Sequence, residues 1–299
     1  MLTFKEITLE DQATIQNFLK QEDFLISDIS FINLYLWRKA RKIAYTIISD
    51  CLIIQTTYPK HTPFYFFPIG NGDKKAAILT LKEYANNTKT PLEFHSLQQY
   101  ALDFFETHFQ GSFEAKLNRD RSDYIYNIPE LIALNGRKYH KKKNHLNKFL
   151  QSYPDFIYEE ITKKNTGELL NTWKIWFDAQ KNPSQGLIHE NEGIIDVLQN
   201  WESLKLKGGI IKINQNIIAF SFGEEINNKM ALIHIEKANA QYAGAYQIIN
   251  QQFLKNAFNH LEYANREEDL GIEGLRKAKM SYHPIFLVEK YEIIFHAVF

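Results

Sequence analysis

The two halves of this 299-residue chain show the same order of predicted elements, and this repetition limits the fold more than any other feature. Each half is predicted to run strand, two helices, three strands, helix, strand, helix and strand. The strand triplets are Ile43–Ile48, Cys51–Thr57 and Phe64–Ile69, then Gly209–Ile213, Ile217–Glu224 and Met230–Glu236. Short polar turns join the first two strands of each triplet, which is typical of antiparallel hairpins. The order predicts an α+β protein with two mixed, mostly antiparallel sheets flanked by helices.

A basic segment between the halves sets the predicted domain boundaries. Residues 131–154 contain no Asp or Glu, and a helix is predicted between Gly136 and Pro154. We expect a first domain over residues 1–130, a linker helix over 131–154 and a second domain over 155–299. One face of the helix would carry Lys138, Lys141, Lys142, His145 and Lys148. This segment is either a solvated amphipathic helix or a surface that binds the phosphates of nucleic acid or anionic lipid.

The composition excludes several classes of protein. The 35 basic and 35 acidic side chains cancel, which argues against nucleic-acid binding over the whole surface. The single Cys51 excludes an intramolecular disulfide and a cysteine-rich metal site, and the histidines are not spaced as metal ligands. No apolar run approaches the ~18 residues that span a bilayer, and the N-terminus does not resemble a signal peptide. We expect a cytoplasmic protein without a transmembrane segment or a metal site; its oligomeric state is not indicated.

The segment Asn265–Pro284 concentrates charge beside two glycines. A block of acids precedes a block of bases; the residues are Glu267, Glu268, Asp269 and Glu273, then Arg276, Lys277 and Lys279. Such a run is either a solvated helix face, whose ion pairs add only ~0.2–0.5 kcal/mol each, or a site for a charged substrate. In a helix that begins near Ile272, we expect Arg276, Lys279 and His283 on one face. The predicted core face holds Leu275, Ala278 and Tyr282.

A loop of the kind that holds phosphate follows the strand Met230–Glu236. Gln241-x-x-Gly244 before a helix partly matches the pyrophosphate loop of acetyl-CoA-type acyltransferases. In such loops glycine allows a close approach of the backbone, and free N–H groups at the helix N-terminus bind phosphate. Tyr246 stands where that loop has Gly or Ala, and a lone glycine at a helix start is more often a simple turn.

Glu236 lies at the end of the same strand. It is either a general base or an anchor for an incoming amine, or one half of a surface pair with Lys237 that contributes little. His234 alternates with apolar neighbours and would share a face with Glu236. A structural and a functional role for this histidine are equally open.

Three segments together share residues with one known family. They are the basic segment Gly136–Phe149, the run HIEKA from His234 with GAYQ from Gly244 and Asn250, and the run NREEDLGI from Asn265 with GLRKAK and SYHP after it. The set resembles the C-terminal domain family of the bacterial phosphatidylglycerol lysyltransferases over essentially the whole chain. The resemblance implies two tandem GNAT-like folds, and kinship with enzymes that move an aminoacyl group from aminoacyl-tRNA to a lipid or peptidoglycan precursor. The sequence lacks the transmembrane domain of the lipid-modifying members.

This activity, taken as a hypothesis, assigns roles within the three segments and requires no metal or redox cofactor. Glu236 or Glu267 would act as the base, and Asn265 would orient a carbonyl group. An anionic group would be bound by Arg266, Arg276 and Lys279. A cationic amine would be bound by Asp269 with the two glutamates. The other substrate contacts would be Lys237, Gln241, Gly244, Tyr246, Gln247 and Asn250. The donor phosphates would meet Lys138, Lys141, Lys142 and Lys148.

Three functions compete at this point. The first is transfer of an aminoacyl group from aminoacyl-tRNA to an amine or hydroxyl acceptor, with peripheral contact to anionic lipid through the basic face as a further expectation. The second is N-acylation with acyl-CoA as the donor. The third is a non-catalytic module that binds an anionic ligand. The first half shows no counterpart of the Glu236 or Asn265 motifs, so we expect it to be a structural copy.

Overall fold

The computed structural model describes residues 2–296 and arranges their fourteen strands in two sheets of seven. The strands are β1 (Lys5–Glu6), β2 (Ala44–Ile48), β3 (Cys51–Thr56), β4 (Phe64–Tyr65), β5 (Glu93–Leu97), β6 (Phe113–Leu117), β7 (Asp123–Asn127), β8 (Ile157–Glu160), β9 (Lys207–Ile213), β10 (Asn216–Glu225), β11 (Met230–Ala238), β12 (Tyr263–Asn265), β13 (Phe286–Val288) and β14 (Tyr291–Phe295). Most neighbouring strands run antiparallel, whereas β4 with β5 and β11 with β12 are parallel. The predicted class, two mixed sheets flanked by helices, is confirmed.

The α-helices of residues 2–296 are α1 (Gln12–Leu19), α2 (Phe31–Trp37), α3 (Lys74–Thr88), α4 (Gln99–Phe109), α5 (Ile128–Ala133), α6 (His140–Ser152), α7 (Thr166–Asp178), α8 (Gln185–Gln199), α9 (Trp201–Leu204), α10 (Ala245–Ala257) and α11 (Glu273–Met280). Among these, α2, α3, α5 and α8 begin where a side chain caps a free backbone N–H group. Asp73 accepts the Ala76 N–H at the start of α3, and Ser184 accepts the Leu187 N–H at the start of α8. Over residues 2–296, no helix combines the length and apolar character needed to cross a bilayer.

The two sheets have equivalent strand orders. The first runs β1-β2-β3-β4-β5-β14-β6, and the second runs β8-β9-β10-β11-β12-β7-β13. In each sheet, the sixth strand in this order comes from a distant part of the chain. β14 lies between β5 and β6, and β7 lies between β12 and β13. This equivalence supports the duplication predicted from the element order. In addition, the two copies exchange one strand, because β14 belongs to the first sheet and β7 to the second.

This exchange makes the division of the chain differ from the predicted boundaries. The first compact unit contains the residues up to Asp123 and those from Val288 onward, and the second spans Tyr124–Leu287. The prediction had placed Tyr124–Asn127 in the first domain and Val288–Phe295 in the second. Alternating hydrophobicity identifies a strand but not the strand with which it pairs. The sequence pattern predicts extended runs over Tyr124–Ile128 and over Phe286–Phe295. The second run is divided in the structure into β13 and β14, which belong to different sheets, and the pattern assigns none of these strands to its sheet.

Helix α6 is part of the second unit, where a linker helix had been predicted. Its side chains Leu146 and Phe149 are buried in the same core as Ile248 and Phe253 of α10. Lys141, Lys143 and Lys148 of α6 therefore face away from the packed core, whereas Lys142 lies half-buried beside it. The core of the first unit is aromatic, with Phe94 of β5 and Phe105 of α4 at a ring-centroid distance of 5.0 Å. Both units thus contain their own hydrophobic core.

The sequence predicts a helix over Ile26–Lys39 with Ser27 or Asp28 as its cap, but α2 begins later, at Phe31. Its N-cap is Ser30, whose hydroxyl accepts the Asn33 N–H at 3.0 Å, and not Ser27 or Asp28 as expected. These two residues instead belong to a buried ion cluster of the first unit. The buried position of their short polar side chains explains why they are not available as caps.

The ion cluster joins three distant parts of the sequence. Lys290 is fully buried; its Nζ donates to Asp123 Oδ1 at 2.7 Å and to Asp28. Arg121 Nη2 donates to Asp28 Oδ1 at 2.8 Å, and the Ser27 N–H donates to Asp123 Oδ2 at 2.6 Å. Burial opposes the ionisation of Asp28, but Lys290 and Arg121 outweigh it and hold its pKa well below the usual range. The cluster therefore fastens the residues beside β7 and β14 to the N-terminal part of the unit.

Candidate functional site

The candidate site of the second unit forms where two parallel strands end. β11 and β12 run side by side, with Leu232 opposite Asn265, so β11 extends beyond the end of β12. Arg266 follows β12 directly, and its Nη2 donates to Glu236 Oε1 of β11 at 2.9 Å. The other carboxylate oxygen accepts from Asn250 Nδ2 of α10, also at 2.9 Å. The side chains of Glu236 and Arg266 are only 12% and 13% exposed, so water screens this pair weakly.

Two tyrosine rings surround the guanidinium of Arg266. Its Cζ lies 4.7 Å from the ring centroid of Tyr282 and 5.5 Å from that of Tyr126. Burial raises the pKa of Tyr282 to about 12, so this ring keeps its hydroxyl proton at neutral pH. Nη1 of Arg266 is buried and has no hydrogen-bond partner in the part of the chain that the structure describes. A buried donor without an acceptor is costly, and an oxygen of a bound ligand would satisfy it.

Lys142 of α6 meets the same tyrosine. Its Nζ lies 4.0 Å from the ring centroid of Tyr282. Burial lowers the pKa of Lys142, and the nearby Arg266 guanidinium lowers it further, against the opposing effect of Glu236. Gln247 of α10 completes the group, because its Nε2 donates to the Tyr282 hydroxyl at 3.3 Å. Five predicted site residues, Lys142, Glu236, Gln247, Asn250 and Arg266, are therefore brought together.

The loop after β12 is held by polar contacts to its backbone. Asn265 Oδ1 accepts the Glu267 N–H at 2.7 Å, and Lys279 Nζ donates to the carbonyl oxygens of Arg266 and of Glu267. Glu267 has a φ of +58°, a conformation that side chains other than glycine adopt rarely. The structure thus places Asn265 and Lys279 on the backbone of the loop that carries Arg266.

His234 connects β11 to this loop. Its Nδ1 lies 3.2 Å from Glu267 Oε1, and its Nε2 lies 3.0 Å from Glu224 Oε1. Burial lowers the pKa of the imidazole, but the two carboxylates outweigh it and raise the pKa to about 9. The ring is therefore a cation at neutral pH that donates a hydrogen bond from each nitrogen, which leaves it no free nitrogen for accepting a proton.

Asp269 and Arg276, both predicted to contact substrate, lie against each other. Asp269 is fully buried and accepts from Arg276 Nε at 2.8 Å, from Arg276 Nη2 at 2.9 Å and from the Tyr124 hydroxyl. Burial opposes its ionisation, but the hydrogen bonds from Arg276, Tyr124 and the Gly271 N–H hold the pKa of Asp269 well below the usual range. This bidentate pair joins α11 to the loop that precedes it.

Helix α11 turns a different face inward from the one predicted. Leu275 is 37% exposed and Ala278 is also exposed, whereas both had been assigned to the core face with Tyr282. The half-buried positions of the helix are Arg276 and Lys279. Their hydrogen bonds to Asp269 and to the loop carbonyls orient the helix, and these bonds outweigh the modest burial that two apolar side chains would gain.

The remaining predicted residues lie apart from the Glu236–Arg266 pair or on the surface. Lys237 forms an ion pair with Glu190 of α8 at 2.7 Å, and Lys138 forms one with Glu130 at 2.6 Å. The exposed predicted residues are Gln241, Tyr246, Lys141 and Lys148. Within residues 2–296, no group of three or more His, Cys, Asp or Glu side chains is placed to bind a metal ion.

Gly244 is explained by the packing of two helices. It has a φ of +91°, and a Cβ at this position would lie 2.5 Å from the His145 carbonyl oxygen and 2.8 Å from the Phe149 Cβ of α6. The space beside the glycine, where a pyrophosphate would approach in a CoA-binding loop, therefore holds the backbone of α6. A carbonyl oxygen also repels phosphate.

Gly244→Ala is expected to destabilise the protein by about 1–3 kcal/mol, because it combines a strained φ with overlap against backbone. Urea unfolding followed by circular dichroism measures the change. The matched control is Gly274→Ala in α11, where no atom lies within 4 Å of the added Cβ. That change should be neutral or stabilising by up to about 1 kcal/mol. Equal effects of the two substitutions would contradict the packing role of Gly244.

The sequence did not indicate two of the site's side chains. Tyr282 lies within the run SYHP, and the family resemblance of that run is the sequence feature that could have indicated Tyr282 as a site residue. Tyr126 lies in β7 among buried neighbours, and its hydroxyl donates to the Lys279 carbonyl oxygen at 2.9 Å. Nothing in the local sequence distinguishes it from a core tyrosine.

The two equivalent sheets, their flanking helices and the polar group at the end of β11 define a tandem GNAT-like acyltransferase fold. Within this class, the chain belongs to the family of the phosphatidylglycerol lysyltransferase C-terminal domain, whose model matches residues 22–294. The family resemblance predicted from the three segments is therefore confirmed.

Individual relatives agree with this assignment. A conserved protein of unknown function from Bacteroides thetaiotaomicron is 36% identical, with 99% of this chain and 100% of that chain covered and a TM-score of 0.90. The L-PGS of Bacillus licheniformis shares the fold at 13% identity, with 100% and 96% covered and a TM-score of 0.66. The uncharacterized protein MYCGA3080 of Mycoplasmoides gallisepticum is 26% identical over 178 residues, which span 58% of this chain and only 56% of that protein.

Proposed function

We propose that this protein transfers an aminoacyl group from aminoacyl-tRNA to an acceptor that carries an amine or a hydroxyl group. One observation carries the proposal. Arg266 is fixed by Glu236 through Nη2, while its buried Nη1 has no acceptor among the residues described. This N–H is suited to the carbonyl oxygen of an ester, because that oxygen gains negative charge as the acceptor attacks.

The chemistry requires little beyond positioning. The ester that joins an amino acid to tRNA is already activated, so the acceptor can attack its carbonyl carbon directly. Arg266 would stabilise the resulting oxyanion, and Glu236 would take the proton from the acceptor. The ribose hydroxyl would leave with a proton. Asn250 would hold the second carboxylate oxygen of Glu236 and fix its orientation, which supports the assignment of Glu236, rather than Glu267, as the base.

Helix α6 provides a surface for the donor. It contains no acidic residue, and Lys141 and Lys148 are exposed along it. Cations that contact phosphates release counterions, so binding weakens as salt concentration rises. This surface would hold the phosphates of tRNA near the end of β11, with Lys138, Lys141 and Lys148 as the phosphate contacts. The same surface would bind anionic lipid.

A CoA donor is less well supported. The region beside Gly244, which binds pyrophosphate in the CoA-dependent enzymes that the loop resembles, is filled here by the His145 carbonyl oxygen. Tyr246 also replaces the small residue of that loop. The name of the family suggests phosphatidylglycerol as one acceptor to test, together with soluble amines and hydroxyl compounds.

The proposal is tested with purified protein, a radiolabelled aminoacyl-tRNA pool and separate acceptors, including phosphatidylglycerol vesicles and an amine panel. Acceptor-dependent loss of label from tRNA, with a new labelled product, is the expected result. Consumption of acetyl-CoA in its place would establish the CoA-dependent function. Binding of charged tRNA without turnover on any acceptor would support the non-catalytic module.

Glu236→Gln is expected to lower the transfer rate at least about 100-fold, since removal of a general base typically costs about 10²–10⁴-fold. Arg266→Lys should lower it by a comparable factor, because the charge remains but the second donor is lost. Melting temperature and tRNA affinity are measured on each variant, so that a folding defect is recognised. The control is Glu225→Gln, in an exposed pair with Lys207, which should retain full activity. A Glu236→Gln variant that is folded and fully active would exclude Glu236 as the base.

A further inference from the structure

Lys142 differs from the lysines on either side of it. Lys141 and Lys143 are exposed, and the Nζ of Lys143 donates to Asn135 Oδ1 at 2.9 Å. Lys142 is half-buried, and among the described residues its amine has no hydrogen-bond acceptor and no carboxylate partner. Its Nζ lies over the face of the Tyr282 ring, 4.0 Å from the ring centroid. Three consecutive lysines on one helix thus stand in different environments.

This environment makes the ammonium form of Lys142 less favourable than that of an exposed lysine. A buried ammonium group normally requires acceptors for its three N–H bonds. Here it has the π-face of one ring and, nearby, the positive guanidinium of Arg266, which is 4.7 Å from the same ring centroid. Glu236 attracts the ammonium, but its two oxygens already accept from Arg266 and Asn250. Burial and like charge therefore lower the pKa of Lys142, and a neutral amine is a nucleophile.

We propose that Lys142 is a reactive amine whose Nζ is acylated by activated acyl donors, the class that includes acyl phosphates and acyl esters. The nitrogen lone pair attacks the acyl carbonyl carbon, and the new C–N bond forms as the C–O bond to the phosphate or alcohol breaks. The leaving group departs with the bonding electrons, and the proton released from nitrogen passes to it or to water. The product is an amide that carries no charge.

The modification would have a consequence for the neighbouring pair. An amide at Lys142 removes one positive charge beside Arg266 and adds bulk over Tyr282. If the proposed function holds, acylation by a donor that carries no amine would therefore shut off transfer. Acylation of Lys142 does not depend on that function, because it requires only the amine and an activated acyl group.

Acetyl phosphate is the probe, and the full-length protein is treated at pH 7.5 without tRNA. Digestion at glutamate keeps Lys141, Lys142 and Lys143 on one peptide, and fragmentation by mass spectrometry assigns the acetyl group to each. Lys142 should be acetylated at least about five-fold faster than either neighbour, because each unit of pKa lowering raises the neutral fraction about ten-fold. In guanidinium-unfolded protein the three rates should be equal. Equal rates in the folded protein would overturn the proposal.

Two variants separate the electrostatic cause from simple accessibility. Arg266→Gln removes the like charge and should slow acetylation of Lys142, whereas Glu236→Gln removes the opposite charge and should accelerate it. Glu225→Gln, remote in sequence and exposed, should leave the rate unchanged. An acetylation rate of Lys142 that is unchanged in both of these variants, when each is folded, would also overturn the proposal. None of these measurements uses aminoacyl-tRNA. The acetylation test therefore remains valid if the transfer assay fails, and the transfer assay remains valid if the acetylation test fails.

Discussion

A chain that ends at Val288 is expected to lose the folded structure of its first unit while it keeps that of the second. The truncation removes β14, which pairs with both β5 and β6, and with it the buried side chains of Ile293 and Phe295. Large core side chains each contribute roughly 2–5 kcal/mol, and Lys290 is lost as well. The sum is comparable with the ~5–15 kcal/mol that stabilises a whole domain.

Hydrogen exchange read by mass spectrometry distinguishes the units. In the truncated chain the amides of β3 and β5 should exchange as in an unfolded protein, and those of β10 and β11 should remain protected. A chain that ends at His296 retains β14 and serves as the control. A synthetic peptide of residues 289–299 should restore protection to the truncated chain by adding the missing strand. Unchanged protection of β5 without the peptide would contradict the importance of the strand exchange.

Lys290→Met is expected to destabilise the first unit by about 3–5 kcal/mol, as the removal of one partner from a buried ion pair typically does. Methionine retains most of the volume of the lysine stem but leaves the carboxylates of Asp28 and Asp123 without its charge. The pKa of Asp28 is depressed in the native protein. The wild type should therefore keep this contribution from neutral pH down to about pH 5 and lose it progressively as pH falls past the unfolded-state pKa of about 4 towards the native pKa. The stability of the Lys290→Met variant should depend less on pH in acid, because protonation of the Asp28 or Asp123 carboxylate removes negative charge that Lys290 no longer balances.

Chemical denaturation at pH 7 and pH 4 measures both effects. Lys116→Met is the control, since Lys116 is 66% exposed and its buried partner Glu292 keeps a second donor in Asn118; it should change stability by no more than about 1 kcal/mol. The combination Lys290→Met with Asp28→Asn and Asp123→Asn should recover part of the loss. A Lys290→Met variant as stable as the Lys116→Met control would show that the cluster does not hold the unit together.

Much of the fold could be predicted because its elements have strong local signals. The central hairpins were recognised from alternating apolar residues and short turns, and the equivalent sheets explain why the same order appears twice. The partners of β7 and β14 could not be predicted, because pairing between distant strands leaves no periodic pattern in either strand. Ser27 and Asp28 likewise have the composition of helix caps, and only the distant Lys290 and Asp123 explain why they are buried instead.

The site shows a similar limit. Glu236, Asn250 and Arg266 were indicated by motifs, and the structure places them within hydrogen-bonding distance. The charged run from Asn265 to Lys279 suggested a set of substrate contacts, but charge alone does not distinguish a side chain that awaits a ligand from one that already has a partner. Arg276 is paired with Asp269, whereas Nη1 of Arg266 has no acceptor among residues 2–296. That difference depends on atoms brought together by folding.

The exchanged strands also impose an order on biosynthesis. The ribosome completes β6 long before it makes β14, and at ~5–20 residues per second the interval is roughly ten to thirty seconds. During that time β5 and β6 lack the strand that joins them, and their unpaired backbone groups are open to other chains. The second unit has all its strands when β13 emerges, so it can fold first although its sequence comes later. We therefore expect chaperones that shield strand edges to bind nascent chains before β14 emerges, and their presence to raise the yield of the intact protein.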